Sequence, residues 1–277
     1  MRALLRSFAT TALLGLLASS ASAFVTITII NMDSPGEGFN DATPAAPVGG
    51  NGGTTVGQQR LNCFTRAASI WSSILTSSVP VEIQAAFNPL TCTATSAVLG
   101  SAGPRFVEFN NPSFEFQNVW YHEALATKEA GVDLVLPGDA GPGDNGSDIN
   151  AQFNSNLGQA GCLTGSGWYY GFDHNEGSKI DLLAVLLHEF AHGLGFSTVT
   201  SSTSGVQCCG SPILPALWDR FLFDETTALH WNAMSDAQRV ASAINTGNLT
   251  WDGIAVKNAA LVYMQHSPEV VVPFPPG

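Results

Sequence analysis

The most constraining feature of this 277-residue sequence is an apolar segment that ends in two histidines. Residues 181–193 read DLLAVLLHEFAHG, with apolar side chains at helical spacing behind Asp181. Aspartate is a favoured N-cap because its carboxylate accepts hydrogen bonds from the free amides of the first turn. The segment therefore predicts an apolar helix from Asp181 to Gly193, with Gly193 and Gly195 allowing the helix to end and the chain to turn away.

This helix carries the motif H-E-x-x-H in its last turns. Residues four apart share a helical face, so His188 and His192 can present two imidazoles to one metal ion. Zinc suits imidazole ligands and lowers the pKa of bound water to about 7. Glu189 would take a proton from that water and pass it to a leaving amine. The competing interpretation is a pair of partly buried structural histidines, which the apolar helix and the glycines around the motif disfavour.

The first 23 residues have the pattern of a secretory signal peptide. Arg2 and Arg6 form a positive N-terminal region, a short apolar run follows, and residues 21–23 read A-S-A. The apolar run is too short to span a bilayer core of about 30 Å. We therefore expect residues 1–23 to be removed, and the mature chain to be secreted, extracellular or periplasmic, with no membrane segment.

The charge balance argues against one class of partner. The chain has 10 Lys and Arg against 22 Asp and Glu, a formal net charge of −12. Nucleic-acid binding relies on basic side chains that replace the counterions of the phosphates. We therefore expect no nucleic-acid partner and no polybasic attachment to membrane surfaces.

Five cysteines leave at least one without a partner inside the chain. Export permits disulfides, and Cys92 with Cys162 is the favoured pair because both lie at turn-like edges of apolar segments. We expect the adjacent Cys208 and Cys209 not to bond each other, because that geometry is strained. No C-x-x-C motif occurs, which disfavours a cysteine zinc site.

Periodicity predicts a mixture of strands and helices along the mature chain. Strands are expected at 24–31, 81–87, 105–110 and 149–154, and helices at 58–77, 118–130 and 181–193, with helical pieces at 217–223 and 235–244.

The run HEFAHGLGF resembles the zincin metalloproteases, and its H-E-x-x-H-x-x-G spacing is closest to the metzincin branch. More narrowly, residues 48–256 are similar to secreted bacterial proteins that contain a protease-associated domain. That similarity includes QQRLNCFTRAASIW, PLTCTATSAVLGSAGP, FNSNLGQAGCLTGSGWYYG, KIDLLAVLLHEFAHGLGF and DAQRVASAINTGNLTWDG. The resemblance implies an α+β fold, in which a zincin-like catalytic domain over 24–277 has a twisted mixed sheet, a backing helix and an active-site helix.

The resemblance also implies an activity, that of a zinc-dependent endopeptidase acting on peptide or protein substrates. The metal ligands would be His188 and His192, and the catalytic residue Glu189. Substrate would lie antiparallel along an edge strand, which we assign to Asp148–Asn154. We expect the mature chain to be a monomer.

The sequence departs from the metzincin pattern at the third ligand. Thr198 stands where a metzincin has its third histidine. The related proteins continue into an inserted domain and a later segment that could supply the ligand, so the chain could be truncated at its C-terminus. Candidates within the chain are Asp219, Asp224, His230 and His266, with Asp219 first, although helix capping or an ion pair explains Asp219 more simply. The alternatives to an enzyme are a non-catalytic secreted binding module and an inactive fragment with an incomplete metal site.

Two weaker signals concern other polar residues. Three aspartates of a Gly-rich loop could bind Ca²⁺ through oxygen ligands, although their spacing does not match an EF-hand and a solvated acidic loop is the simpler interpretation: Asp139, Asp144 and Asp148. Asp173 and His174, just before the motif helix, could touch substrate, although a surface turn is the simpler interpretation. Tyr169 and Tyr170 could stabilise an oxyanion, although aromatic packing is the commoner role.

Overall fold

The computed structural model describes residues 24–139, 141, 143–209, 211–263 and 270–271, so the predicted signal peptide lies outside the described residues. Five helices occur in these residues: α1 Val56–Ser72, α2 Glu123–Ala130, α3 Leu182–Gly193, α4 Asp236–Ala243 and α5 Ile254–Tyr263. None of the helices found there is long and apolar enough to cross a membrane.

Twelve short or medium strands accompany the helices. They are β1 Ile27–Asn31, β2 Val81–Asn88, β3 Gly100–Pro104, β4 Val107–Glu108, β5 Tyr121–His122, β6 Ile149–Asn154, β7 Trp168–Tyr169, β8 Ile180–Asp181, β9 Leu222–Asp224, β10 Leu229–His230, β11 Leu249–Trp251 and β12 Val270–Val271. The described chain therefore has an α+β fold with a mixed main sheet, as the sequence predicts at this level.

The main sheet has the strand order β1-β2-β6-β3. Strands β1, β2 and β6 are parallel, and β3 runs antiparallel to β6. The strand predicted at 149–154 is present as β6, but its predicted position at the edge of the sheet is wrong. β6 is paired on both sides, and β3 forms that edge. β3 has the sequence GSAGP, without the β-branched residues that mark a strand, and it is held in place by pairing with β6.

Helices α1 and α3 cover one face of this sheet. Alternate residues of β2 point into the core beneath them, as its strict in-and-out burial shows. Edge-to-face aromatic contacts centre on Phe64 of α1, which packs against Phe153 of β6 and Phe190 of α3. The motif helix is thus anchored to the centre of the largest core among the described residues.

Residues after α3 form a second, smaller region. Its sheet has the order β10-β9-β11-β12, and its buried residues include three tryptophans, Trp218, Trp231 and Trp251. Buried polar side chains fix the loops around this core. Arg239 is nearly buried and donates to the backbone carbonyls of Gly205, Trp231 and Met234.

Several predicted boundaries differ from the structure for tertiary reasons. The helix predicted at 118–130 begins only at Glu123, because Tyr121 and His122 pair with β4 instead. The strand predicted at 105–110 is reduced to Val107–Glu108, and the helix predicted at 58–77 spans Val56–Ser72. The helical piece predicted at 217–223 is a single 3₁₀ turn followed by β9, whereas the one at 235–244 is confirmed as α4.

The favoured disulfide is confirmed, since Cys92 and Cys162 are bonded with their Cα atoms 5.1 Å apart. Cys63 is free and buried. The Sγ atoms of Cys208 and Cys209 lie against each other, and the peptide bond between these residues is cis. The expectation that the two do not form a disulfide stays a prediction.

Candidate metal centre

The start of the motif helix is fixed by its N-cap, as predicted. The Asp181 carboxylate accepts a hydrogen bond from the Ala184 amide at 3.2 Å. Its other oxygen lies 2.8 Å from Nδ1 of His174. The structure therefore assigns His174 to the support of the helix N-terminus, where the negative carboxylate also complements the helix dipole.

The end of the helix is set by its two glycines, which act differently. A Cβ at Gly193 would lie 2.5 Å from the side chain of Ile149, so glycine there permits close packing of α3 on β6. Gly195 has φ +116°, a conformation that favours glycine. The Gly195 amide donates to the His192 carbonyl and the Phe196 amide to the Ala191 carbonyl. These two bonds form a Schellman motif, which reverses the chain directly beside the second histidine.

The two motif histidines converge. Nε2 of His188 and Nε2 of His192 are 3.1 Å apart, and their rings are almost perpendicular, at 89°. Two nitrogens bound to one tetrahedral zinc ion at about 2.05 Å lie about 3.3 Å apart. The observed separation fits shared coordination of a single ion. His188 is exposed and His192 is half-buried, so the pair opens to solvent on one side.

The turn after the helix determines the proton position on His192. Nδ1 of His192 lies 3.0 Å from the Phe196 carbonyl oxygen. A carbonyl only accepts hydrogen bonds, so in the neutral ring Nδ1 carries the proton and the lone pair of Nε2 faces Nε2 of His188. A second ring nitrogen bonded to a backbone carbonyl is the usual support of a metal-binding histidine.

Glu189 lies between the helix and the edge of the main sheet. Its Oε2 accepts a hydrogen bond from the Ala102 amide of β3 at 3.1 Å. The side chain is half-buried. This contact places a carboxylate along the open edge strand, one residue away from His188.

A third histidine, which sequence reasoning missed, supports the motif from behind. Nδ1 of His122 lies 3.1 Å from the His192 carbonyl oxygen, so Nδ1 carries the proton and donates. Burial lowers the pKa of His122 to about 4, which keeps the ring neutral. The feature of the sequence that could have pointed to His122 is the His-Glu pair at 122–123. This pair lies inside the segment predicted as helix.

Glu123 is fully buried directly beside this support. Among the described residues, neither oxygen of its carboxyl group has a hydrogen-bond partner. Burial, together with the nearby Asp148 carboxylate, raises the pKa of Glu123 to about 9. Burial also raises the pKa of Asp148, to about 6. The Glu123 side chain is therefore uncharged at neutral pH. Because burial opposes its ionisation, its effect on the free energy of unfolding changes with pH.

The structure does not bring Asp219, the first candidate for a third ligand, to the histidines. Asp219 is fully buried, and its carboxylate accepts hydrogen bonds from the hydroxyls of Thr198 and Thr200 at 2.5 Å and from the Ala216 amide at 3.1 Å. Thr198 thus links the chain after α3 to the C-terminal region. Burial raises the pKa of Asp219.

The other third-ligand candidates are engaged elsewhere or fall outside the described residues. Both oxygens of Asp224 accept hydrogen bonds, from Thr227 and from Asn245 among others. Nε2 of His230 lies 2.6 Å from the Asp252 carboxylate. His266 lies outside the described residues. Within the part of the chain that the structure describes, no group of three or more His, Cys, Asp or Glu converges as metal ligands would.

The three aspartates weighed for Ca²⁺ have separate partners. Asp144 forms an ion pair with Arg105 at 2.5 Å. Asp148 accepts from the Glu82 amide and Asp139 from the Leu136 amide.

The aromatic candidates for an oxyanion site also have other partners. The Tyr169 hydroxyl donates to Asp173 at 2.5 Å, and the Tyr170 hydroxyl accepts from Arg60 at 3.1 Å. These contacts give both tyrosines structural roles.

Comparison with protein-family models, curated proteins and solved structures returns no match for this chain. Its function must therefore be inferred from the geometry of its own residues.

Proposed function

We propose that this chain is a secreted zinc-dependent endopeptidase of the zincin type. The observation that carries the proposal is the 3.1 Å approach of the His188 and His192 Nε2 atoms. The Glu189 carboxylate, from the same helix, contacts the edge strand β3. The mixed sheet, the backing helix α1 and the motif helix α3 are consistent with the architecture that the sequence resemblance implies.

His188 and His192 would hold the metal ion through Nε2. A zinc ion bound there would act as a Lewis acid and would lower the pKa of a bound water molecule to about 7. The Glu189 carboxylate, held against the edge strand, would accept a proton from the attacking water and donate it to the leaving amine. The Phe196 carbonyl keeps Nδ1 of His192 protonated, so that Nε2 stays available.

The edge strand β3 offers a place for a peptide backbone. In an antiparallel ladder, a residue exchanges both backbone bonds with its partner or neither. Since the Ala102 amide bonds to Glu189, alternate residues Gly100, Ala102 and Pro104 direct backbone groups away from β6. A substrate added antiparallel to this edge passes directly beside Glu189.

Replacing Glu189 by Gln tests the assignment, because glutamine keeps the size of the side chain and removes its basicity. We expect peptide hydrolysis by residues 24–277, purified with zinc, to fall about a thousandfold, the scale of general acid–base catalysis. Zinc content, measured by mass spectrometry, should stay at the wild-type level. Glu37→Gln, a change at an exposed carboxylate, is the matched control. Activity within tenfold of wild type would contradict the role of Glu189.

The second candidate function is a non-catalytic secreted binding module. It is favoured by one observation, that no third ligand joins His188 and His192 within the described residues. Zinc titration of the purified chain separates the two functions. Tight binding of one zinc per chain, lost in His188→Ala and His192→Ala, supports the enzyme, whereas no tight site supports the binding module.

His266→Ala and His230→Ala test the two remaining histidine candidates, and we expect His230→Ala to leave binding unchanged because that ring is paired with Asp252.

A further inference from the structure

The carboxylate of Glu189 is positioned by a strand that is weak on its own. β3 has the sequence GSAGP, in which glycine and proline, two residue types that are depleted in strands, fill three of the five positions. Among the described residues, β3 pairs with β6 alone. The position of the Ala102 amide, and with it that of the Glu189 carboxylate, therefore depends on the contacts that hold the two ends of β3.

The C-terminal end of β3 is held by the residue that follows it. The Arg105 amide donates to the Asp148 carbonyl at 2.9 Å, and the Arg105 guanidinium donates to the Ser147 carbonyl at 3.0 Å. The guanidinium also forms the ion pair with Asp144. These contacts attach this end of β3 to the loop before β6.

A buried amide side chain holds the N-terminal end of β3. Asn154 is the last residue of β6 and is fully buried, whereas Asn150 is exposed and Gln152 is half-buried on the same face of the strand. Burial increases along this face because residues 90–99, which lead into β3, cover the end of β6. A primary amide is unfavourable in such a place unless its polar atoms find partners.

The hydrogen bonds of Asn154 contact both ends of this covering segment. Its Nδ2 donates to the Val98 carbonyl at 2.9 Å and to the Leu90 carbonyl at 3.4 Å. Its backbone amide donates to the Leu99 carbonyl at 2.8 Å, and its Oδ1 accepts from the Asn156 amide at 2.9 Å. One residue thus closes the segment into a loop and fixes the point at which the chain enters β3.

The disulfide between Cys92 and Cys162 attaches the same loop to the chain after β6. The Leu163 amide also donates to the Thr93 carbonyl at 2.9 Å. Both contacts lie on the side of the loop away from β3, so the residues that adjoin β3 depend on Asn154 instead.

We infer that Asn154 is a positioning residue for Glu189. Its side chain fixes the start of β3, β3 presents the Ala102 amide, and this amide holds the Glu189 carboxylate at the sheet edge. An amide side chain suits this place because the Val98 carbonyl needs a donor and the Asn156 amide needs an acceptor. The consequence for catalysis rests on the proposed function, whereas the contact between Ala102 and Glu189 does not.

The contact is tested by amide hydrogen exchange, followed by NMR on metal-free residues 24–277. The Ala102 amide faces away from β6 and donates to Glu189, so its exchange rate reports this contact. Asn154→Asp keeps the shape of the side chain but turns an acceptor towards the Val98 carbonyl. We expect the Ala102 amide to exchange about tenfold faster, the value of one hydrogen bond, while the amides of β2 are unchanged. Glu189→Ala gives the rate for complete loss of the contact.

Two further variants accompany this measurement. Asn88→Asp is the matched control, because Asn88 is exposed and lies opposite Asn154 in the register of β2 and β6, so the Ala102 exchange rate should not change. Asn154→Ser introduces no charge and is too short to reach the Val98 carbonyl, so it should have the same effect as Asn154→Asp even if that variant does not fold. Unchanged Ala102 exchange in a folded Asn154 variant, or an equal increase throughout β2, would overturn the inference.

Hydrolysis by the zinc-loaded chain then separates positioning from stability. We expect either Asn154 variant to lower kcat about tenfold at wild-type zinc content, because His188 and His192 lie on α3, which packs on Phe64 instead. In a Glu189→Gln background, the same change should lower kcat less than twofold further, because the carboxylate that Asn154 positions is already absent. A purely structural residue would lower stability in both backgrounds and leave the kcat of the folded chain unchanged, a result that would overturn the inference.

The two proposals can fail separately. If the wild-type chain hydrolyses no peptide but Ala102 exchange responds to Asn154→Asp, the proposed function fails while the positioning of the Glu189 carboxylate stands. If the wild-type chain is active and the Asn154 variants keep its kcat, only the role of Asn154 fails.

Discussion

The two regions of the molecule hold together by different means. In the N-terminal region, long elements bury a core of phenylalanines centred on Phe64, and the apolar faces of α1, α3 and the main sheet meet over it. In the C-terminal region, the strands are two or three residues long, and buried polar groups such as Asp219 and Arg239 fix the loops around three tryptophans. The first region therefore depends on buried apolar area, and the second on hydrogen bonds to buried polar groups. The motif helix belongs to the first region, while the turn after it contacts the second.

The largest effect should come from the phenylalanine core. Phe64→Ala removes a fully buried ring that contacts four other phenylalanines. We expect the free energy of unfolding to fall by about 4 kcal/mol, measured by urea denaturation. Phe24→Ala, at a 68% exposed ring, is the control. A loss below about 1 kcal/mol would show that this core is not the main source of stability of the N-terminal region, and would contradict the difference drawn between the two regions.

Asp219 tests the C-terminal region. Asp219→Ala leaves the hydroxyls of Thr198 and Thr200 and the Ala216 amide without their acceptor, so we expect a loss of about 3 kcal/mol. Asp139→Ala, at the exposed loop, should change little. Tryptophan fluorescence should report this transition, since the region contains three buried tryptophans. A neutral result would show that apolar packing, rather than the buried carboxylate, holds this region.

Glu123 should reveal a pH dependence in the N-terminal region. The folded state raises the pKa of its carboxyl group from 4.5 to about 9, so folding retains a proton that the unfolded chain releases. The stability contribution is complete below the unfolded pKa and is lost as pH rises from about 4.5 to 9. Glu123→Gln removes this dependence, and we expect it to stabilise the protein by about 2 kcal/mol at pH 8 but not at pH 4.5.

The measurement is the unfolding midpoint across that pH range, and Glu115→Gln, at an exposed carboxylate, is the control. If the difference in stability between Glu123→Gln and wild type were the same at both pH values, the carboxyl group would not be held uncharged in the folded state.

His122 should give the smallest effect, confined to the candidate metal centre of the proposed function. His122→Phe keeps the ring volume but removes the donor to the His192 carbonyl. We expect zinc affinity to fall about tenfold with one zinc still bound, as for other residues that support metal ligands. His174→Asn, at the other end of the helix, is the control. Unchanged affinity would limit His122 to a packing role.

Periodicity identifies the parts of the fold that depend on apolar area. The Asp181 cap, the helix from 182 to 193 and the strands at 81–88 and 149–154 follow from local spacing, because each buries one regular face. β3 has no such pattern, and only its partner β6 makes it a strand. A one-dimensional pattern also does not show which strand is outermost, so the edge was assigned to the wrong segment.

The motif residues can be recognised in the sequence because their spacing is local. The residues that support them cannot, because they lie far away along the chain. His122 is 70 residues from the carbonyl that it contacts, and Ala102 is 87 residues from Glu189. Thr198 and Asp219 show the same limit, since their partnership turns two ligand candidates into a structural contact.

The disulfide between Cys92 and Cys162 has a consequence for survival among proteases. The two cysteines are 70 positions apart, and the chain between them includes β3, β5, α2 and β6, and therefore the edge strand, His122 and Glu123. A peptide bond cut in any loop of this span leaves both pieces covalently attached. The severed strand stays at high effective concentration beside its partner, so the main sheet can keep its shape after the backbone is nicked.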